Sequence, residues 1–180
     1  WKGMQLFMGE VNDNDGDLKK DEGAMCVLCH VADWTPDPGN VSVPGWAPDG
    51  LVPPLFTDFT YDNLGVPKNE EYPLTGAPVD LGLGAIVNDP AENGKFKVVS
   101  LRNLEMNPPY AHNGFFDTLE EITHFYNTRD VAGEGWDPPE VPETVNFDEL
   151  GNLGLSTADE EALVAFIKTL TDGFKNPLRH

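Results

Sequence analysis

Cysteine is scarce in this chain, with two in 180 residues. That excludes a fold stapled by several disulfides. Basic side chains are also few, 11 Lys and Arg against 31 Asp and Glu, for a formal net charge of −20. A surface of that sign repels nucleic acid and anionic membranes, and it suits a basic protein partner or bound cations. Long apolar runs are missing as well. The longest, LVAFI at 163–167, falls far short of the roughly 18 residues a membrane helix needs. No basic segment followed by an apolar one marks a leader, and the chain opens on Trp1, so it reads as a processed protein or a fragment. Neither an internal repeat nor a useful alternating strand run is visible. The expected fold is therefore mostly α, a single domain over 1–180 with long loops.

Glycine and proline, by contrast, are plentiful at 18 and 16 residues. They gather between 35 and 93, where TPDPGNVSVPGWAPDGLVPP carries no helical or strand period and reads as a long wrapped loop. Such a loop inside one domain implies that something other than secondary structure organises it. Upstream, NDNDGDLKKDE is an acidic turn. Asp13, Asp15, Gly16 and Glu22 fall at positions three, five, six and twelve of a calcium loop, but Val11 occupies the first, where a carboxylate is required. It reads as a solvated loop, with a weak cation site as the alternative.

Three helices are signalled. Residues 2–9, KGMQLFMG, place Met4, Phe7 and Met8 on one side. Thr118 with Glu121 forms a capping box, after which Leu119, Ile122 and Tyr126 share a face. Ser156 or Thr157 caps a third helix through Leu163, Phe166, Ile167 and Leu170, which Gly173 should stop.

Both cysteines lie in AMCVLCH, at Cys26 and Cys29, with His30 directly after. At helical spacing i, i+3 and i+4 the three side chains address one object from one side. C-x-x-C-H is the attachment signature of c-type haem: two thiols bond to the porphyrin vinyl groups and the imidazole becomes the proximal iron ligand. Disulfide exchange is expected beside a βαβ pattern, which is missing here. Zinc wants about four ligands, and His112, His124 and His180 lack the spacing to complete the set. Covalent haem also supplies apolar core around which a proline-rich segment can wrap. Because haem c is attached outside the bacterial cytoplasmic membrane, a periplasmic or exported location is expected.

Beyond the motif, GMQLFMG, FTDFTYDNLGVP at 56–67, GKFKVVSLRNLEMNPPYAHNGFFDTLEEITHFYN at 94–127 and LGLSTADEEALVAFIKTLTDG at 153–173 resemble the bacterial dihaem cytochrome c peroxidases and their MauG-type relatives. The resemblance is to the C-terminal haem domain, which in that family holds a six-coordinate, electron-receiving haem. It implies Cys26 and Cys29 as thioether anchors, His30 as proximal ligand, and Arg102 in SLRN as a haem propionate partner, a role suited to a planar bidentate donor. The family's interdomain calcium uses backbone carbonyls around the segment matching Asn107 and Pro109, so calcium is a second expected cofactor. The single CxxCH is a departure, because the peroxide-reactive haem domain has no counterpart in this chain.

For the sixth iron ligand the sequence offers Tyr126, His124, His112 and Met106. At about 100° per residue, Tyr126 shares the apolar face while His124 turns outward. The resemblance favours Tyr126, which aligns with the position supplying methionine in the peroxidases and tyrosine in the MauG type. Met106 is expected to fill core, and His112 to be a hydrogen-bonded structural residue. The expected function is single-electron transfer by a monohaem c-type cytochrome with a redox protein, another haem protein or domain, as partner. The alternative is the electron-feeding part of a dihaem peroxidase or MauG-like oxidase. The isolated chain is not expected to be an enzyme, since a six-coordinate iron leaves no position for peroxide.

Overall fold

A computed structural model describes residues 1–9, 23–24, 26–32, 54–71 and 73–173. The acidic loop at 11–22, almost all of the proline-rich stretch at 35–54, and His180 lie outside the described residues.

The first helix, α1, spans Lys2–Met8 and ends at Gly9, whose left-handed φ of 73 lets its N–H reach the Gln5 and Leu6 carbonyls. Its inward side is Gly3, Leu6 and Phe7 rather than Met4, Phe7 and Met8. The reason is packing against a later helix, α4 (Thr157–Lys168). A Cβ on Gly3 would overlap the Ala162 carbonyl, so the two backbones touch there and the neighbouring turn presents Leu6 and Phe7 inward. Phe7 is fully buried, edge-on to Phe56 at 5.9 Å and tilted against Phe166 at 5.2 Å.

The expected capping box forms, and the cap of the last helix is Ser156. Thr118 accepts from Glu121 N–H, and the Glu121 carboxylate accepts from Thr118 N–H, opening α3 at Leu119–Thr128. Ser156 and Asp159 open α4 in the same way. Each box satisfies backbone donors that a helix start otherwise leaves orphaned. Helix α4 stops at Lys168, before the expected Gly173, yet Leu170 beyond it is buried all the same.

Between these elements lie β1 (Tyr61–Asp62) and β2 (Phe96–Lys97), antiparallel with Tyr61 opposite Lys97, and a short α2 at Leu83–Val87. The mostly-α expectation is therefore coarse: the longest helix has twelve residues, and irregular chain dominates the described residues. Side-chain amides replace helical ladders in those stretches. Asn63, buried, donates to the Val141 carbonyl at 2.8 Å and to Thr144 Oγ1 at 2.9 Å, and accepts from Gly65 N–H. A fully satisfied buried amide of this kind fixes irregular chain as firmly as a short ladder would.

Candidate functional site

Cys26–Leu28 forms one 3-10 turn rather than an α-helix. His30 N–H still donates to the Cys26 carbonyl at 2.8 Å, so the i, i+4 closure that the motif needs is kept. The turn reaches the core from α1 through Ala24 N–H to the Leu6 carbonyl, 3.0 Å.

The segment at 55–60 lies against this turn and is tied to it twice. Asp58 N–H donates to the Cys29 carbonyl at 2.9 Å, and His30 Nδ1 lies 2.9 Å from the Phe56 carbonyl. Phe56 takes a left-handed φ of 55, costing on the order of 1 kcal/mol for a non-glycine residue. Its ring, almost fully buried against Phe7 and Phe166, holds it in place. From the other side, Ser100 Oγ donates to the Leu55 carbonyl and Thr57 Oγ1 to the Val98 carbonyl, each at 2.6 Å.

Burial lowers the pKa of His30 below the usual histidine value, against smaller raising effects from the Phe56 carbonyl, Asp58 and the Val99 carbonyl. At neutral pH the ring is therefore neutral and carries one proton. With Nδ1–H donating to the Phe56 carbonyl, the neutral ring has its lone pair at Nε2. A neutral imidazole with an oriented Nδ1–H is the form that binds a metal.

Cys26 and Cys29 are free thiols. Burial is the first cause pushing each up to about 12; carboxylates of Glu149, Asp58 and Asp62 add to the effect on Cys29. Thiols so far from ionising are poor exchange nucleophiles, which argues against a disulfide-exchange role. Tyr126, on α3, packs against the same core as Cys26. Burial raises its pKa well above the usual phenol, Cys26, Cys29 and Asp62 raise it further, and Arg129 opposes them. The two motif cysteines and Tyr126 thus share one neighbourhood. A desolvated phenolate there needs a strong cation beside it, which a metal centre supplies. The donor set fits haem: two thiols, one oriented neutral imidazole, and a buried phenol.

The other candidates have partners of their own. Arg102, with its side chain 27% exposed, forms an ion pair with Asp172; Asn103, then Arg102, hold that carboxyl below its usual range. His124 is half-exposed between Glu160, 3.0 Å away, and Glu134 at 3.5 Å. His112 stacks on Phe96 at 3.7 Å and bonds Glu140 at 2.5 Å. Met106 does not fill core. It is 68% exposed, because the 3-10 turn Leu104–Met106 directs Leu104 inward and Met106 to solvent. Near the expected calcium segment, Asn107 gives its amide to the Asn103 carbonyl at 2.9 Å. Among the described residues no group of three or more His, Cys, Asp or Glu side chains could hold a metal ion, and no helix is long and apolar enough to cross a membrane.

Sequence reasoning missed Phe56, Asp62 and Arg129. Only Arg129 left a local signal, lying three residues after Tyr126 and so on the same side of α3.

No protein-family model matches the chain. It is 41% identical over 140 residues to the methylamine utilization protein MauG of Paracoccus denitrificans, covering 68% of this chain and 36% of that protein. It is 39% identical over 153 residues to the cytochrome-c peroxidase IdrP2 of a Pseudomonas species, covering 82% and 36%. Among solved structures, the diheme peroxidase BthA of Burkholderia thailandensis superposes with a TM-score of 0.63 at 27% identity, covering 96% of this chain and 42% of that one. A MauG-like protein associated with microbial copper homeostasis gives 0.59 at 26% identity, covering 95% and 46%. The chain spans about a third of the length of the curated relatives it matches.

Proposed function

The chain belongs with the MauG and cytochrome-c peroxidase proteins as a relative of part of their length, and from that premise we propose that it is a c-type cytochrome module transferring single electrons between redox partners. Cys26 and Cys29 would anchor one covalent haem, His30 would be the proximal ligand, Tyr126 the sixth, and Arg102 a propionate partner. The observation that carries this reading is the 2.9 Å contact of His30 Nδ1 with the Phe56 carbonyl, which supports Nε2 as the ligand atom. When bound, the haem supplies a one-electron couple at its iron.

The protein's own residues set the terms of that couple. Phe56 holds the proton of His30 at Nδ1 and so fixes the ring. Tyr126 is a hard oxygen donor, which favours ferric iron and a lower potential than a thioether would give. The surface charge of −20 suits a basic redox partner. Haem attachment through CxxCH would make the protein periplasmic or exported.

A second reading is favoured by coverage: 96% of this chain matches only 42% of BthA. On it, the chain is the electron-feeding part of a dihaem peroxidase or MauG-like oxidase whose second haem lies in another chain or domain. Calcium at the Asn107 and Pro109 carbonyls belongs to this reading, since it requires that other domain.

The test is the absorption spectrum of the purified protein in both oxidation states, followed by peroxide turnover with and without a separate haem protein. Haem that survives acid-acetone extraction, a six-coordinate ferric spectrum of tyrosinate type, and poor turnover alone are expected. Peroxidase-level turnover by the pure chain, unaltered by added cytochromes, would replace electron transfer with catalysis as the conclusion.

A further inference from the structure

Resting on the His30/Tyr126 reading, we propose that Arg129 is a positioning residue for Tyr126, holding the ligand-bearing turn of α3 in place. Arg129 is an unusual place for a cation. Its side chain is only 4% exposed, and buried charges persist only where they are paired and hydrogen-bonded. Here four of the five guanidinium N–H groups have close acceptors. Nε and Nη2 grip the Asp130 carboxylate at 2.9 and 2.7 Å, Nη1 donates to the Leu64 carbonyl at 2.7 Å, and Nη2 donates to the Asn146 carbonyl at 2.8 Å. The planar fork thus joins the end of α3 to two loops, which a lysine ammonium could not do in the same geometry.

Both loops return to Tyr126. The 146–151 loop closes on α3 through Gly151 N–H, which donates to the Tyr126 carbonyl at 2.7 Å, while Asp130 N–H donates to the Gly151 carbonyl at 2.7 Å. Gly151 takes a φ of 97, and any Cβ there would collide with the Asp130 carboxylate and approach Arg129 Nη2. The glycine is what lets the ion pair lie against the turn. Asn146, whose carbonyl Arg129 holds, donates its amide to Asp62 Oδ2 at 2.8 Å, and Asp62 acts electrostatically on Tyr126. A residue needed only to end a helix would not require a buried, ion-paired charge; asparagine or glycine does that at lower cost.

The experiment uses the haem-loaded full chain. Arg129→Gln keeps hydrogen-bonding capacity but loses the charge and the fork. It should convert part of the ferric population from the tyrosinate-type to an open or water-ligated spectrum and tighten azide binding to ferric iron by about tenfold, the scale of a lost charged hydrogen-bond set. Arg129→Lys should fall between parent and Arg129→Gln. In a Tyr126→Phe background, Arg129→Gln should add nothing to azide affinity. A purely structural residue would instead lower the melting temperature equally in both backgrounds and leave the ferric spectrum and azide affinity of the parent unchanged, and that result overturns the proposal. Should Arg129→Gln not accumulate as holoprotein, Gly151→Ala, which displaces the same ion pair, and Arg129→Lys carry the test with the same two outcomes. A parent without a tyrosinate-type ferric spectrum overturns the ligand reading together with this one; a parent that has it, unaltered by these variants, overturns this one alone.

Discussion

Two hydrophobic cores sit side by side in this protein and end in different ways. One gathers Val66, Tyr110, Phe116, Leu119, Phe125 and Val164, with Trp136 packed on it. Its rings close on each other: Phe116 and Phe125 are 4.9 Å apart, and Trp136 stands edge-on to Phe125 at 5.2 Å. The polar tips are also settled, Tyr110 Oη on the Leu104 carbonyl at 3.1 Å and Trp136 Nε1 on Thr128 Oγ1 at 3.0 Å. The other core joins α1, α4 and Phe56, and its edge is Cys26 and Tyr126, beside Cys29 and His30. Nearby apolar side chains stay in solvent, Leu28 41% and Val99 61% exposed. One core is finished by its own side chains, whereas the other presents groups suited to bond something larger. The proposed haem, as structural filling, would explain the difference.

The strongest way to break that contrast is to remove the anchors. Cys26→Ala with Cys29→Ala should abolish covalent haem and withdraw burial on the order of 10 kcal/mol from the α1/α4 core, comparable with the whole stability of a domain. Native-state hydrogen exchange should then show α1 amides exchanging fast while amides in the first turns of α3 keep more protection. An apoprotein that melts cooperatively at the parent's temperature would show that both cores are self-sufficient.

A smaller effect probes the finished core. Phe125→Ala, at an almost fully buried ring, should cost about 3–5 kcal/mol in urea unfolding. The covalent haem should remain attached, its bonds lying in the other core. Loss of haem retention in this variant would merge the two cores into one unit.

Legibility in the sequence follows the same division. The CxxCH motif, the Thr118 capping box and the cap at Ser156 or Thr157 were readable because each is complete within five residues and depends on local sequence alone. The inward face of α3 was readable only in part: Leu119 is buried as its period required, but Ile122 and Tyr126 are partly exposed and Phe125 is the buried ring, while His124 stands half-exposed. What escaped is tertiary. Nothing local announces that Phe56 adopts a left-handed φ so that its carbonyl meets His30, or that Arg129 is buried. Leu104 was packed inward at the expense of Met106 because two cores meet there, and no single-helix pattern encodes that junction. The short α2, with Ile86 82% exposed, has no amphipathic period to read.

The smallest effect sharpens the comparison at the surface, where each core has a lysine–carboxylate pair between its helices. Lys2 Nζ meets Asp159 Oδ1 at 2.5 Å, tying α1 to α4; Lys168 Nζ meets Glu120 Oε1 at 2.8 Å, tying α4 to α3. Lys2, then the Ser156 side chain, hold Asp159 below the usual carboxylate range, and Lys168 does the same first of all for Glu120. A depressed carboxylate contributes stability that is complete above its unfolded pKa, about 4, and disappears as pH falls through its folded pKa. Lys2→Met and Glu120→Gln should therefore each cost about 0.5 kcal/mol at pH 7 and low salt, with the deficit closing below about pH 3 and shrinking in about 1 M salt. In the Cys26→Ala/Cys29→Ala background the two should part. With α1 detached, Lys2→Met should cost nothing, while Glu120→Gln, on helices still packed by Phe125 and Val164, should keep its effect. Thermal melts of the four proteins across pH 2.5–7 read this directly. Equal penalties in the haem-free background would mean that α1 stays docked without haem, and the contrast between the cores would fail at its edge.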